Sequence, residues 1–289
     1  MYFIENYKDN IRFNSQYNEL HTFLKTIADT DYNEHFHWGR LCWMMAHPYL
    51  DDKMLSKNAL FRSKNGELVG AVLYDTTFDD RWYILHSISD KNLLEQMIEY
   101  AIKGEGGSDK TIKANLNDTE LCKSLENAGF KKRHSDIVLA MDLSHDFSFK
   151  LPQGFYLNAP DSEIDSWQWQ VVIHRGFDHD GIPQEQSEEM AKAQKHLEIP
   201  TYIRTFAIQE GEYAAHCGVF YDDGNTAYIE PVVTVPEHRG KGLGKAVVYE
   251  ALRRAKKQGA KRAIVLSNQE FYIRLGMTKS SEVITWSKK

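Results

Sequence analysis

The sequence predicts an α/β chain made of two successive copies of one unit, and three observations carry that prediction. The same order of elements can be read from Asn58 to Leu143 and again from Thr201 to Ser287. In each copy, segments of strand character are followed by one long helix whose apolar residues recur at three- and four-residue spacing. In each, a later short helix ends at a glycine just before a closing strand: NAGF at Asn127–Phe130 stands where RLGM stands at Arg274–Met277.

In the first copy, NALFRS and ELVGAVLYD flank the turn Lys64–Asn65–Gly66, and RWYILHSI is a third strand. Asp90 is placed to cap a helix with Leu93, Leu94, Met97, Ile98, Ala101 and Ile102 on one face, stopped by Gly104. TIKANL and HSDIVLAMDL are the remaining strands, on either side of a helix that starts at Asn117–Asp118. In the second copy, TYIRTFAI and YAAHCGVFYD form a hairpin around Glu210–Gly211, and TAYIEPVVTV follows as a strand. A helix then runs from Gly242 to Lys257 with Leu243, Ala246, Val247, Ala251 and Ala255 on one face. Arg253, Arg254, Lys256 and Lys257 crowd its negative end, and Gly259 fits just past it. RAIVLS, a short helix and EVITWS complete the copy. The copies meet around Ser144–Gly154, which divides the chain into residues 1–145 and 150–289; a single domain of alternating strands and helices is the other arrangement this order allows. HWGRLCWMMAHPYLDD, rich in aromatics and methionine, is expected to be a packing helix that ends before Pro48, or a contact for the acceptor.

Composition limits the function. The chain has 42% hydrophobic and 26% charged residues, the balance of a soluble globular protein. A net charge of -6 argues against a nucleic-acid partner, which needs a basic face. No apolar run approaches the length of a membrane span. Three scattered cysteines and an N-terminus lacking the basic head and apolar core of a signal peptide point to the cytoplasm.

VTVPEHRGKGLGKAVV is the most informative stretch. A strand stops at Pro236, and a glycine-rich loop leads straight into a helix. The free N–H groups and positive dipole at a helix start make an anion site. Gly240, Gly242 and Gly244 let the backbone approach that anion, while Arg239, Lys241 and Lys245 add positive charge. The spacing fits neither the dinucleotide fingerprint nor the Walker loop. Arg239-x-x-Gly242-x-Gly244 resembles the R/Q-x-x-G-x-G/A signature of the GNAT acetyltransferases, where the loop binds the pyrophosphate of acetyl-CoA. The resemblance is specific over Thr226–Met277 and architectural over the first 145 residues.

That resemblance implies two tandem GNAT-like domains, each a mixed, mostly antiparallel sheet flanked by helices. It implies acetyl-CoA as cofactor and direct transfer of the acyl group to the amine of a small molecule. Val233, Thr234, Val235 and the loop Arg239–Lys245, Leu243 included, are the implied cofactor contacts, with oxyanion donors from the backbone around Val233. Tyr272, four residues before Gly276 in QEFYIRLGM, holds the position of the family's general acid. Asn268 is a further candidate cofactor contact, although it precedes Tyr272 by only four residues where the family pattern places an asparagine about two helical turns ahead.

Glu230 lies on the strand that carries the cofactor contacts, before Pro231, where a proline favours a bulge and a splayed strand. It is the candidate general base, or else an acid that orients the acceptor. His216 and His174 are lesser candidates. Trp167, Trp169, Phe177 and His179 fall where the family forms its acceptor pocket, although aromatics at this spacing also suit a core. His174, Asp178, His179 and Asp180, or His35 with His37, lack the spacing of a metal site, and no metal is expected. In the first copy the loop position reads HSISDKNLL, without glycine and with Asp90 where a diphosphate needs positive charge, and Leu125 stands at the tyrosine position. The first copy therefore looks like a GNAT domain that has lost its cofactor site and supports the second, walling its acceptor cleft. A non-catalytic acyl-CoA-binding or regulatory module is the alternative to an enzyme.

Overall fold

Each half contains a run of antiparallel strands rich in apolar residues, and strands such as β3 (Leu68–Asp75) and β9 (Glu212–Phe220) are buried on both faces. The computed structural model describes residues 2–47, 50–75, 81–104, 110–181, 183 and 188–288. The first half contributes β1 (Phe3–Asn6), α1 (Ser15–Ile27), α2 (Trp38–Ala46), β2 (Ala59–Arg62), β3 (Leu68–Asp75), β4 (Arg81–His86), α3 (Lys91–Lys103), β5 (Lys110–Asn115), α4 (Thr119–Asn127) and β6 (Lys131–Asp142). The second contributes β7 (Phe155–Leu157), α5 (Ser166–Gly176), α6 (Glu188–Lys195), β8 (Tyr202–Gln209), β9 (Glu212–Phe220), β10 (Thr226–Thr234), α7 (Leu243–Gln258), β11 (Arg262–Leu266), α8 (Glu270–Arg274) and β12 (Thr278–Lys288). Pro48, expected to stop α2, lies outside the described residues.

The strands form one sheet in the order β1-β2-β3-β4-β5-β12-β6-β11-β10-β9-β8-β7. Neighbours are antiparallel except for β4 with β5 and β10 with β11. The predicted repeat is visible as a near two-fold arrangement about the central β12–β6 pair. The closing strands, however, are exchanged. β6 leaves the first half and pairs with β11, Asp142 opposite Arg262, while β12 pairs with β5, Val283 opposite Asn115. The sheet is therefore continuous across the two halves.

Both parallel pairs open into forks. β10 is hydrogen-bonded to β11 only through Thr226–Tyr228, and its remaining residues diverge. The cause lies in the sequence: Pro231 has no N–H for the ladder, and the β9–β10 register shifts between Ile229 and Val232. The short helices of both halves end as predicted, with Gly129 and Gly276 in the left-handed region at φ 84° and 92°.

α7 buries the predicted apolar face together with Val248, Leu252 and Arg254. Arg254, one of the cations near the negative end of α7, is buried, and its guanidinium donates to Asn158 O and Glu250 Oε1. α2 is a packing helix as expected, with Trp38, Leu41, Cys42, Trp43, Met44 and Met45 all buried. It packs on the second half. A Cβ at Gly39 would stand 2.5 Å from Phe220 of β9, so only glycine allows this approach. No described helix is long and apolar enough to cross a membrane.

Candidate active site

The start of α7 differs from those of α1 to α5. Side chains of Asn14, His37, Asp90, Asp118 and Asp165 accept backbone N–H groups at the starts of α1 to α5. At α7 the N-cap is Gly242, which has no side chain to offer, so the first-turn N–H groups stay free. Gly240 and Gly242 hold φ of 75° and 84°, a conformation that disfavours any Cβ, and the space where a Cβ would stand is open at both. Gly244 faces Phe271 and the Thr234 hydroxyl, so a Cβ there would be tight, 3.3 Å from the ring. An uncapped helix end beneath an open backbone loop is the arrangement that receives a phosphate anion. The loop therefore fits a diphosphate on its own geometry.

The basic residues divide between structure and charge. Arg239 ties the loop down, donating to Thr234 O at 3.0 Å and Gly176 O at 2.9 Å and pairing with Asp178 at 2.9 Å. Lys241 Nζ lies 3.0 Å from His238 Nδ1, and Lys245 sits over the Tyr249 ring. Both lysines stay near the loop without a carboxylate partner among the described residues.

Backbone direction corrects the expected donors on β10. Val235 N–H donates to Ala214 O on β9, and Val233, opposite His216, shares its direction by the two-residue alternation. The β9 ladder thus takes the N–H groups of Val233 and Val235. The donors that face the fork are those of Val232 and Thr234. Asn268 is also engaged elsewhere: its amide nitrogen donates to Ser135 O at 3.2 Å and Asp136 Oδ1 at 3.1 Å, both on the exchanged strand β6. That removes the donor expected to meet the cofactor.

Glu230 stands on the bulged part of β10, largely buried. Arg40 Nη1 donates to its Oε1 at 2.6 Å, and the Tyr228 hydroxyl donates to its Oε2 at 2.6 Å. Burial raises its pKa above the ordinary carboxylate range, outweighing the opposing pull of Arg40 and Tyr228. Arg40 also pairs with Asp75, a fully buried acid at the end of β3. Arg40, Asp75 and Tyr228 were not anticipated. A lone charge in the apolar helix WGRLCWMMA was the signal for Arg40; nothing in the sequence pointed to Asp75.

Tyr272 on α8 is 6% exposed, and its hydroxyl has no hydrogen-bond partner among the described residues. Burial first, then the proximity of Cys217 and Glu230, raises its pKa, so it keeps its proton at any physiological pH. His216 is buried, stacks on Phe206 and has its pKa lowered to about 3 by burial, which leaves it a weak base. His174, near the end of α5, donates from Nε2 to Asp180 O, 3.0 Å away.

The aromatics expected to line an acceptor pocket separate. Trp169 is in the core, against Tyr202 and His216. Trp167 is exposed and lines a cavity of about 580 Å³ with Gln168, Tyr213 and Glu237, on the β9 side of β10 and away from the fork. Phe177 and His179 are exposed. His35 and His37 are buried in the first half, their pKa values lowered by burial to about 4 and about 3. No cluster of three metal-binding side chains occurs among the described residues.

The first half has the matching fork between β4 and β5, paired only at Trp82–Ile112 and Tyr83–Lys113, and the chain fills it. Tyr32 stacks on His86 with ring centroids 5.0 Å apart, and Asn33 Nδ2 donates to His86 O. Asn115 Nδ2 donates to Asp31 O, and the Phe36 ring packs on Tyr83. At the helix start, the Asp90 carboxylate takes the Leu93 N–H, occupying the place of an anion as the sequence predicted.

Comparison with known proteins agrees with this geometry. Residues 165–277 match the sequence profile of the Acetyltransferase (GNAT) family. No match was found among curated protein sequences. A tandem GNAT protein from the clavulanic acid biosynthesis pathway aligns over 100% of this chain and 98% of its own, with a TM-score of 0.61 and 15% identity. A GCN5-related N-acetyltransferase from Sphaerobacter thermophilus aligns over 99% of this chain and 95% of its own, with a TM-score of 0.58 and 14% identity. One from Kribbella flavida covers 77% of this chain and 88% of its own at a TM-score of 0.54 and 14% identity. The chain thus has the tandem GNAT fold, and within its second half residues 165–277 match the GNAT acetyltransferase family.

Proposed function

We propose that the chain is an N-acetyltransferase that moves an acetyl group from acetyl-CoA to the amine of a small molecule. The observation that carries this reading is the uncapped start of α7, which opens at the end of β10, the arm of the fork that also bears Glu230. The loop Arg239–Lys245 would hold the pyrophosphate of acetyl-CoA, and the fork-facing N–H groups of Val232 and Thr234 would meet its pantetheine arm. Bound there, acetyl-CoA supplies an activated thioester.

The side chains then have three tasks. An acceptor amine must lose its proton to attack, and Glu230, made more basic by burial, is the group that takes it. Backbone donors fixed along β10 stabilise negative charge growing on the acyl oxygen. Tyr272, still protonated, gives its proton to the departing sulfur.

Isothermal titration tests the reading: acetyl-CoA should bind, and an amine panel should then release free thiol. Absence of binding would remove the assignment, and binding without thiol release from any amine would leave a non-catalytic acyl-CoA-binding module. Tyr272→Phe should lower kcat by about 10²–10⁴-fold, the range for general acid–base groups, with acetyl-CoA affinity unchanged. An unaltered rate would exclude Tyr272 as the acid.

A further inference from the structure

Glu230 belongs to the second half, but its strongest partner comes from the first. Arg40 is the one charged residue of α2, a helix otherwise buried and apolar. Its side chain is 12% exposed, and its guanidinium spans two carboxylates, Asp75 on one side and Glu230 on the other. Gly39, the preceding residue, brings α2 against β9 and so sets where Arg40 lies.

The surroundings of Glu230 leave Arg40 as its only compensating cation among the described residues. His47, at the end of α2, is kept neutral by burial, its pKa lowered to about 4. Tyr83, Tyr202, Tyr228 and Tyr272 also face this group, and burial holds the last three well protonated. Two acids therefore share one guanidinium. The Asp75 charge beside the shared guanidinium raises the affinity of Glu230 for a proton.

We propose that Arg40 is a positioning residue for catalysis, lent by the first half, which holds Glu230 charged and aimed at the acceptor in competition with Asp75. The proposal rests on Glu230 acting as the base. It gives the first half a part in the chemistry although its own fork is filled.

The competition makes two substitutions act in opposite directions. Arg40→Met keeps the stem and removes the charge, so the Glu230 midpoint should rise by roughly 1–3 pH units, the usual effect of a close opposite charge. Asp75→Asn removes the neighbouring negative charge, so the midpoint should fall. Arg40→Lys should restore most of the wild-type value. Two readouts apply to the full-length chain: the ¹³C titration of the Glu230 carboxyl, and the acid limb of kcat/KM. Equal midpoints in all four proteins, or shifts of the same sign for Arg40→Met and Asp75→Asn, would overturn the proposal. Should Arg40→Met fail to fold, Asp75→Asn and Arg40→Lys still carry the comparison. Thiol release with a carboxyl midpoint that does not move would sink the Arg40 role alone. Carboxyl shifts of the expected signs in a protein that releases no thiol would instead sink the enzyme reading and leave the electrostatic hold standing.

Discussion

Replacing Gly242 with glutamate should abolish acetyl-CoA binding while the protein stays folded. The residue sits at φ 84° at the start of α7, where its missing side chain leaves the first-turn N–H groups exposed. A glutamate there would set a carboxylate among those donors, in the manner of Asp90 at α3, and repel a diphosphate. The Kd should rise by about 100-fold or more, equivalent to about 2.7 kcal/mol. The left-handed backbone adds strain of about 1–2 kcal/mol, small beside a net stability of about 5–15 kcal/mol. Isothermal titration and thermal melting separate the two effects. Gly242→Ala, which adds strain without charge, should weaken binding far less. Unchanged affinity in Gly242→Glu would refute the loop assignment.

The second large effect comes from the exchanged strands. Residues 150–289 produced alone should not give a soluble protein that binds acetyl-CoA. Without β6, strand β11 loses its antiparallel neighbour, and β12 loses both of its own. Val138, Leu139 and Met141 of β6 are buried in the main core, and each is worth about 1.5–3 kcal/mol. Losing them would take away much of the stability expected of a whole domain. The two fragments 1–145 and 150–289 made together should associate and recover binding, because each completes the other's sheet. Size-exclusion chromatography with titration of each sample provides the check. A monomeric, fully binding 150–289 fragment would show that β6 is dispensable.

Local chemistry made the shape of the glycine-rich loop legible. Gly240 and Gly242, the proline before the loop and the glycine that ends α8 each act within a few residues, so sequence spacing reports them directly. Pro231 gave the bulge and the open fork for the same reason. The crossing of β6 and β12 was invisible, because period-two alternation says which face of a strand is buried but not which strand lies beside it. The choice of Val232 and Thr234 over Val233 and Val235 depends on which residues β9 engages, again a matter of neighbours. The bonds of Asn268 to β6 belong to the same class, since its own neighbours in sequence say nothing of that strand. The surroundings of Glu230 were least legible: Arg40 and Asp75 are 190 and 155 positions earlier in the chain, and Arg40 bridges Asp75 and Glu230 only after folding.

The filling of the first fork by residues 31–36 fixes a number. A molecule built from two similar units would be expected to saturate with two equivalents of nucleotide, or to show two phases. With Tyr32 and Asn33 lodged against His86, a titration should reach its plateau at one equivalent per chain and follow a single hyperbola.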